Sequence, residues 1–383
     1  MIGTGEATML SLQPCTRSRV HLRPMRFADY EPIARLERTV RSGPPSFETW
    51  RMLWQGSPLW PKLAATWPIG WVLETATGEI VGSIDNIPLR YHFRGTDLIA
   101  ASGKGWVVAP EYRGFALWLL DERFNQQNVD LFMDTTIGAN SIEAFDALST
   151  RIPAGDWGRV ACRIIDHRAV AQKALRRLRV PGAPILAAPA GAALRLKEAI
   201  FCKRLPRNHA SFVVETTDRF DSRFDVLWNE LLRGKGDILL AARDAATLNW
   251  HFSTTMRNRR LWIFTASRNC QLRAYCIFKA QGSTQALLPR MRLIDYQTIE
   301  PEADLLPDIL HAALRRCAAE GICVLDKPGV GVQRMRLFDE FAAYRQKQCW
   351  SSFYRTPDAD LARALQAPRV WDPSEYDGDA SIE

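Results

Sequence analysis

From Leu98 the chain runs through extended, largely apolar residues to Val108. It then meets Pro110, turns through Glu111-Tyr112-Arg113-Gly114, and enters residues of helical periodicity from Leu117 to Phe124. No other stretch constrains the fold as much, because a strand that passes through a glycine turn into a helix must pack that helix back onto its own sheet. The unit also bears on chemistry. Backbone N–H groups in such a turn, with the positive end of a helix behind them, form a site for an anion. Gly114 lets the backbone approach a phosphate closely, and Arg113 can add a charge-assisted contact. A plain structural turn reads the same way locally, so the surrounding elements have to decide.

Those elements alternate. Val20–Pro24 reads as a strand, and Asp29 as the N-cap of a helix carrying Tyr30, Ile33, Ala34 and Leu36. A helix is expected near Phe47–Trp54. Gly70–Glu74 and Ile80–Ile84 flank Thr77-Gly78-Glu79 as a hairpin. After the glycine turn come a strand at Val129–Thr135, a helix at Asn140–Leu148 and a strand at Arg159–Ile165. A second series starts near Ser211. It has a helix at Phe224–Leu232, strands at Leu261–Ala266, Arg273–Lys279 and Arg290–Asp295, a helix at Leu305–Gly321 and a strand at Ile322–Leu325. This order predicts an α/β (α+β) chain with two mixed sheets in tandem, and 383 residues is about right for two domains. The expected divisions are a disordered lead over 1–18, a first domain over 19–165, a basic connector over 166–210, a second domain over 211–356, and a disordered acidic tail over 357–383.

The residues around the turn resemble the GNAT (GCN5-related N-acetyltransferase) superfamily. Val107-Val108-Ala109-Pro110-Glu111-Tyr112-Arg113-Gly114 is similar to its acyl-CoA motif. Val20–Pro24 with Ala28-Asp29-Tyr30 resembles its opening, Thr77–Gly82 its central hairpin, and Asp134–Ala144 its later strand and helix start. The resemblance covers about 140 residues and implies acetyl-CoA or another acyl-CoA as co-substrate. It places Val107 and Val108 along the pantetheine arm. Tyr112, Arg113, Gly114, Phe115, Ala116 and Leu117 would lie around the pyrophosphate, and Asn140 near the cofactor's far end. Two departures stand out. Trp118 occupies the position of the family's last glycine, and Phe145 and Ala147 stand where a tyrosine acid is common. The second half, at Leu248–Phe252, Leu272–Tyr275 and Leu293–Asp295, looks like the C-terminal part of tandem GNAT-like proteins, including FemAB-like and polysaccharide-modifying transferases.

Acyl transfer requires a base for the acceptor, an acid for the departing thiolate and a backbone N–H for the thioester oxygen. Asp85, Glu111 and Asp134 are the candidate carboxylates. Asp85 is named first, because it follows the run Ile80–Ile84 and would sit at a strand end facing the cleft. The implied function is an acyl-CoA-dependent transferase, acetyl in the first instance, acting on an amine or hydroxyl of a small molecule or saccharide precursor. The alternatives are a FemAB-like aminoacyl transferase and a non-catalytic GNAT-fold binding protein.

The eight cysteines show no C-x-x-C pair and no histidine at metal-ligand spacing, so a reduced, cytoplasmic chain with no metal is expected. Between Arg163 and Arg207 lie eleven Lys/Arg and two carboxylates, which accounts for the whole net charge of +8. That segment reads as a solvated connector, as a contact for an acidic polymer, or as a peripheral contact with the anionic inner face of a membrane. Nucleic acid ranks last, since no nucleic-acid module accompanies it.

Overall fold

The computed structural model describes residues 20–40, 45–206, 211–282, 288–299 and 305–382; the lead expected over 1–18 lies outside them. Along the chain, β1 (Val20–Pro24) leads to helices α1 (Tyr30–Val40), α2 (Phe47–Gln55) and α3 (Trp60–Leu63). Strands β2 (Gly70–Thr75), β3 (Ile80–Phe93) and β4 (Thr96–Val108) follow as a meander. Then come α4 (Ala116–Phe124), β5 (Leu131–Gly138), α5 (Ile142–Leu148), β6 (Thr150–Arg151) and β7 (Asp156–Ile164). A helical hairpin, α6 (His167–Arg177) and α7 (Ala183–Phe201), separates these from the second series. That series is β8 (Val213–Thr217), α8 (Ser222–Gly234), β9 (Leu240–Ala241), α9 (Ala245–His251), α10 (Ser253–Arg257), β10 (Leu261–Arg268), β11 (Gln271–Ala280) and β12 (Arg290–Thr298). It ends with α11 (Leu306–Ala319), β13 (Val324–Val330), α12 (Arg336–Phe341), β14 (Tyr344–Lys347), β15 (Trp350–Arg355) and α13 (Ala359–Leu365).

Two mixed sheets result. The first runs β1-β2-β3-β4-β5-β15-β6, with β9 on β3; the second runs β8-β10-β11-β12-β13-β7-β14. The two orders match position for position, with one exchange. β7, from the first half, lies between β13 and β14, while β15, from the second half, lies between β5 and β6. The strand expected to close the first domain near 165 therefore belongs to the other sheet, and a cut at that residue does not separate the two.

Each sheet contains one parallel pair that soon comes apart. β4 and β5 pair only at Ala100–Leu131, Ala101–Phe132 and Ser102–Met133. β12 and β13 pair only at Arg290–Val324, Met291–Leu325 and Arg292–Asp326. Past those residues each pair opens into a fork.

Three expectations are corrected. Asp29 does not cap α1: it sits in a 3-10 turn, where its carboxylate accepts from Arg26 N at 2.7 Å and pairs with Arg23 at 2.8 Å. Part of the segment read as a solvated connector is the Ala- and Pro-rich helix α7, with Pro189 inside it. The acidic tail is ordered. After α13 it runs into the interior, and Ser374 to Ser381 include the buried Glu375, Asp377 and Asp379. Asp372, Glu375 and Asp377 are counter-ions for cations in and around the interior rather than part of a solvated run. Asp377 and Asp295 hold Arg243, Glu375 holds Arg292, and Asp372 holds Arg334 and Lys235.

Candidate acyl-donor site

The first fork collects the residues singled out in the sequence. Between the pairs Ser83–Val107 and Asp85–Lys104 the register slips, so Gly105 and Trp106 together oppose Ile84. This is a β-bulge, and Gly105 takes φ +66°, a left-handed conformation that suits glycine. A bulge takes a residue's backbone groups out of the ladder and re-aims them. Lys104-Gly105 was the signal for it in the sequence. The indole of Trp106 anchors the bulge by donating to Ala116 O at 3.3 Å and meeting Phe145 edge-on at 5.9 Å.

Beyond the bulge, Val107 and Val108 are buried and end β4. Ala109 N donates to Val81 O at 2.8 Å, which fixes where the strand stops. Pro110–Phe115 form a 3-10 turn that passes directly into α4. A Cβ built on Gly114 would meet nothing within 4 Å, so the space over the turn is open. Arg113 is exposed and has no ion-pair partner among the described residues. Tyr112, Phe115 and Ala116 are half-buried, and Leu117 is exposed. Trp118 is about half exposed and stacks edge-on against Phe115 at 4.9 Å. Asn140, in the 3-10 turn before α5, is exposed. Phe145 is core, packed on Phe124 and Phe353.

Asp134 stands at the crotch of the fork. One carboxylate oxygen accepts from Gly103 N at 3.0 Å and the other pairs with the fully buried Arg123 at 3.0 Å. Burial pushes its pKa up, against the pull of Arg123. Asp134 thus joins β4, β5 and α4 where the strands diverge. Glu111 is exposed on the turn.

Asp85 does not lie at a strand end. β3 continues to Phe93 because Asp85 and the residues after it ladder with β4, and Asp85 sits in mid-strand, buried, opposite Lys104 and Gly70. The indole N–H of Trp50 faces both of its oxygens, at 3.3 and 3.4 Å. Directly opposed residues on antiparallel strands point to the same face, so Asp85 and Lys104 share one.

Sequence reasoning missed the tail's approach to this face. Lys104 Nζ donates to Ile382 O at 2.6 Å, and Lys279 Nζ, from β11, donates to Ser381 O at 3.1 Å. His251 Nε2 lies 2.6 Å from Ser381 Oγ, and its ring stacks on Tyr376 at 4.4 Å. Burial, reinforced by Lys279 and Lys104, holds His251 well below the usual histidine range. Thr135 and Thr136, on the diverging arm of β5, donate to the two oxygens of Asp379 at 3.0 and 2.7 Å. The tail therefore crosses from one arm of the fork to the other.

The mouth of the second fork opens on a cavity of about 1450 Å³. Its wall includes Tyr296, Thr298 and Ile299 at the end of β12, Gly331 and Val332 after β13, and Trp371 of the tail. Six cations line it (Lys203, Arg233, Lys235, Arg334, Arg336, Arg369) against Glu230, Glu340 and Asp372. Among the described residues, no group of three or more His, Cys, Asp or Glu could hold a metal ion, and no helix is long and apolar enough to cross a membrane.

No family model and no curated protein matches the sequence. Solved structures do match. A GCN5-related N-acetyltransferase from Kribbella flavida aligns over 90% of this chain and 73% of its own, with TM-score 0.56 and 10% identity. One from Anabaena variabilis aligns over 89% and 73%, with TM-score 0.54 and 13% identity. The chain has the GNAT fold. N-myristoyltransferase of Saccharomyces cerevisiae, with bound myristoyl-CoA, aligns over 89% of this chain and 83% of its own, with TM-score 0.52 and 13% identity. The likeness to these GNAT proteins spans both sheets, well beyond the 140 residues that carried the resemblance in the sequence.

Proposed function

We propose that the chain is an acyl-CoA-dependent acyltransferase whose donor site is the first fork. The observation that carries this reading is the combination at one end of β4. A left-handed glycine bulge at the mouth of the diverging strands β4 and β5 and a turn with clear space over Gly114 follow one another within ten residues, Gly105 to Gly114. These residues fit a CoA thioester. Arg113, Gly114 and the first turn of α4 would hold the pyrophosphate, Val107 and Val108 would run along the pantetheine arm, and Asn140 would lie at its far end. When bound, the cofactor supplies the activated acyl group.

In this reading the backbone at Gly105–Trp106 donates to the thioester oxygen as negative charge builds there. Asp85 would take the proton of the acceptor amine or hydroxyl, directly or through water, as the new bond to the acyl carbon forms; the thioester C–S bond then breaks, and CoA leaves as a thiolate that takes its proton from solvent. If the acceptor is held in the cavity at the second fork, the excess of cations there favours one that carries a carboxylate or phosphate.

Calorimetric titration with acetyl-CoA and with myristoyl-CoA tests the donor assignment and separates short from long acyl chains. Saturable binding that Gly114→Trp abolishes supports it. No binding at millimolar cofactor, or binding that survives Gly114→Trp, overturns it.

A further inference from the structure

The hairpin of α6 and α7 is oriented the wrong way round for a solvated connector. Its inner face is fastened to the body of the protein. Glu198 of α7 is buried, and its carboxylate accepts from Ile164 N at 3.2 Å and meets His167 Nε2 at 2.8 Å. A Cβ on Gly191 would lie 3.1 Å from the backbone of Arg168, so the two helices touch closely there. With Ala183, Ala187, Gly191 and Glu198 turned inward, the opposite side must face out.

That outer side is apolar along its whole length. At about 100° per residue, Ile185, Pro189, Ala192, Leu196 and Ile200 fall on one stripe. Ile185 is 80% exposed, Leu196 62% and Ile200 64%, and Phe201 beside them 74%. From Ile185 to Ile200 the helix carries this stripe for about 24 Å. Cations surround it. Arg195 and Lys197 flank the stripe, and Arg176, Arg177 and Arg179 stand at the hairpin turn next to Leu178, itself 74% exposed. Arg176, Arg177, Arg179 and Arg195 have no ion-pair partner among the described residues.

We propose that this hairpin docks the protein on an anionic lipid surface, with α7 lying in the plane of the interface. An apolar stripe bordered by unpaired cations is the pattern of an interfacial helix: the stripe enters the acyl boundary and the arginines meet lipid phosphates. A second copy of the chain is a poorer occupant, because pairing the stripes would bring two cationic borders together. An anionic surface neutralises that border. The helix lies on the bilayer and does not cross it.

The test uses the full chain and flotation with vesicles of phosphatidylcholine, with and without phosphatidylglycerol. The chain should float with the anionic vesicles and remain behind with the neutral ones. Ile185→Asp/Leu196→Asp/Ile200→Asp should abolish flotation. Arg176→Glu/Arg177→Glu should lower vesicle affinity by at least roughly twentyfold, at about fivefold per charge removed. Circular dichroism and acetyl-CoA titration should be unchanged in both variants, since every altered side chain is exposed and none belongs to the proposed donor site. Wild-type protein that fails to float with anionic vesicles overturns the proposal, and so does a triple-aspartate variant that floats like wild type. A lipid-independent dimer that the triple variant dissociates, without flotation of the wild type, assigns the stripe to a second copy and also overturns it.

Discussion

The carboxyl of Asp85 lies against the Trp50 indole on the face it shares with Lys104, a setting that keeps it oriented. Asp85→Asn preserves the shape and the indole contact but removes the base. If Asp85 acts on the acceptor, kcat should fall by roughly 10²–10⁴ with little change in cofactor Kd; steady-state kinetics beside calorimetry separates the two effects. An equal loss of cofactor binding would reassign Asp85 to structure. His251 makes a different prediction, about stability. Its pKa is depressed in the folded state by burial and by Lys279 and Lys104, against an ordinary value of 6.5. Below that value the unfolded chain takes up a proton that the folded chain refuses. The contribution of His251 is therefore complete above about pH 6.5 and is lost as pH falls. Thermal unfolding followed from pH 8 to pH 5 should show this loss, and His251→Gln should flatten the curve in that window while lowering it overall. An unchanged slope in the variant would show that other groups set the acid limb.

The bulge and the tail are elements whose roles depend on distant partners. Gly105 holds a left-handed φ, so Gly105→Ala puts a Cβ in a conformation that costs about 1–2 kcal/mol. Relaxing that strain would pull the bulge back toward regular pairing. The expected result is a modest drop in Tm with a much larger drop in kcat, read from melting curves and kinetics on the same preparation. How legible such elements were depends on how local their causes are. The glycine turn, the helix α4, the meander hairpin and α11 were readable because hydrophobic period and turn residues lie within a few positions of one another. α7 was not, since Pro189 and Gly191 weaken its local helical signal, and the close contact of Gly191 with Arg168 that favours glycine is tertiary. Asp85 was placed at a strand end because it follows the apolar run Ile80–Ile84. In the fold, Asn86 bonds Pro68 O and the Gln126 side chain, and β3 runs on. The tail misled for the opposite reason. Its composition looked solvated, while the cations that pair with it lie some 40 to 140 residues away in Arg334, Arg292, Lys235 and Arg243.

On the scale of the whole molecule, the exchanged strands and the buried tail make one cooperative body of two similar sheets. Without the second half, the first sheet would lose β15, which pairs with both β5 and β6, and would carry β7 with neither of its partners. It would expose the long edge of β5 and an unpaired strand, the usual template for aggregation. Residues 20–165 expressed alone should therefore be insoluble or unfolded, although they hold every residue of the proposed donor site. Removing only the residues after Gln366 tests the same coupling more finely. That truncation leaves β15 in place but strips Arg243, Arg334, Arg292 and Lys235 of carboxylate partners supplied by the tail. Leaving a buried charge unpaired costs about 3–5 kcal/mol, so even after relaxation the truncated chain should lose at least ~3 kcal/mol. Denaturant unfolding should show this as a shifted midpoint in a single transition for the intact chain. If the intact chain instead unfolded in two separate steps, with the truncation affecting only one, the sheets would be independent and the tail a local clasp. The interlocking seen in the topology predicts one step, because neither sheet is complete without a strand from the other half.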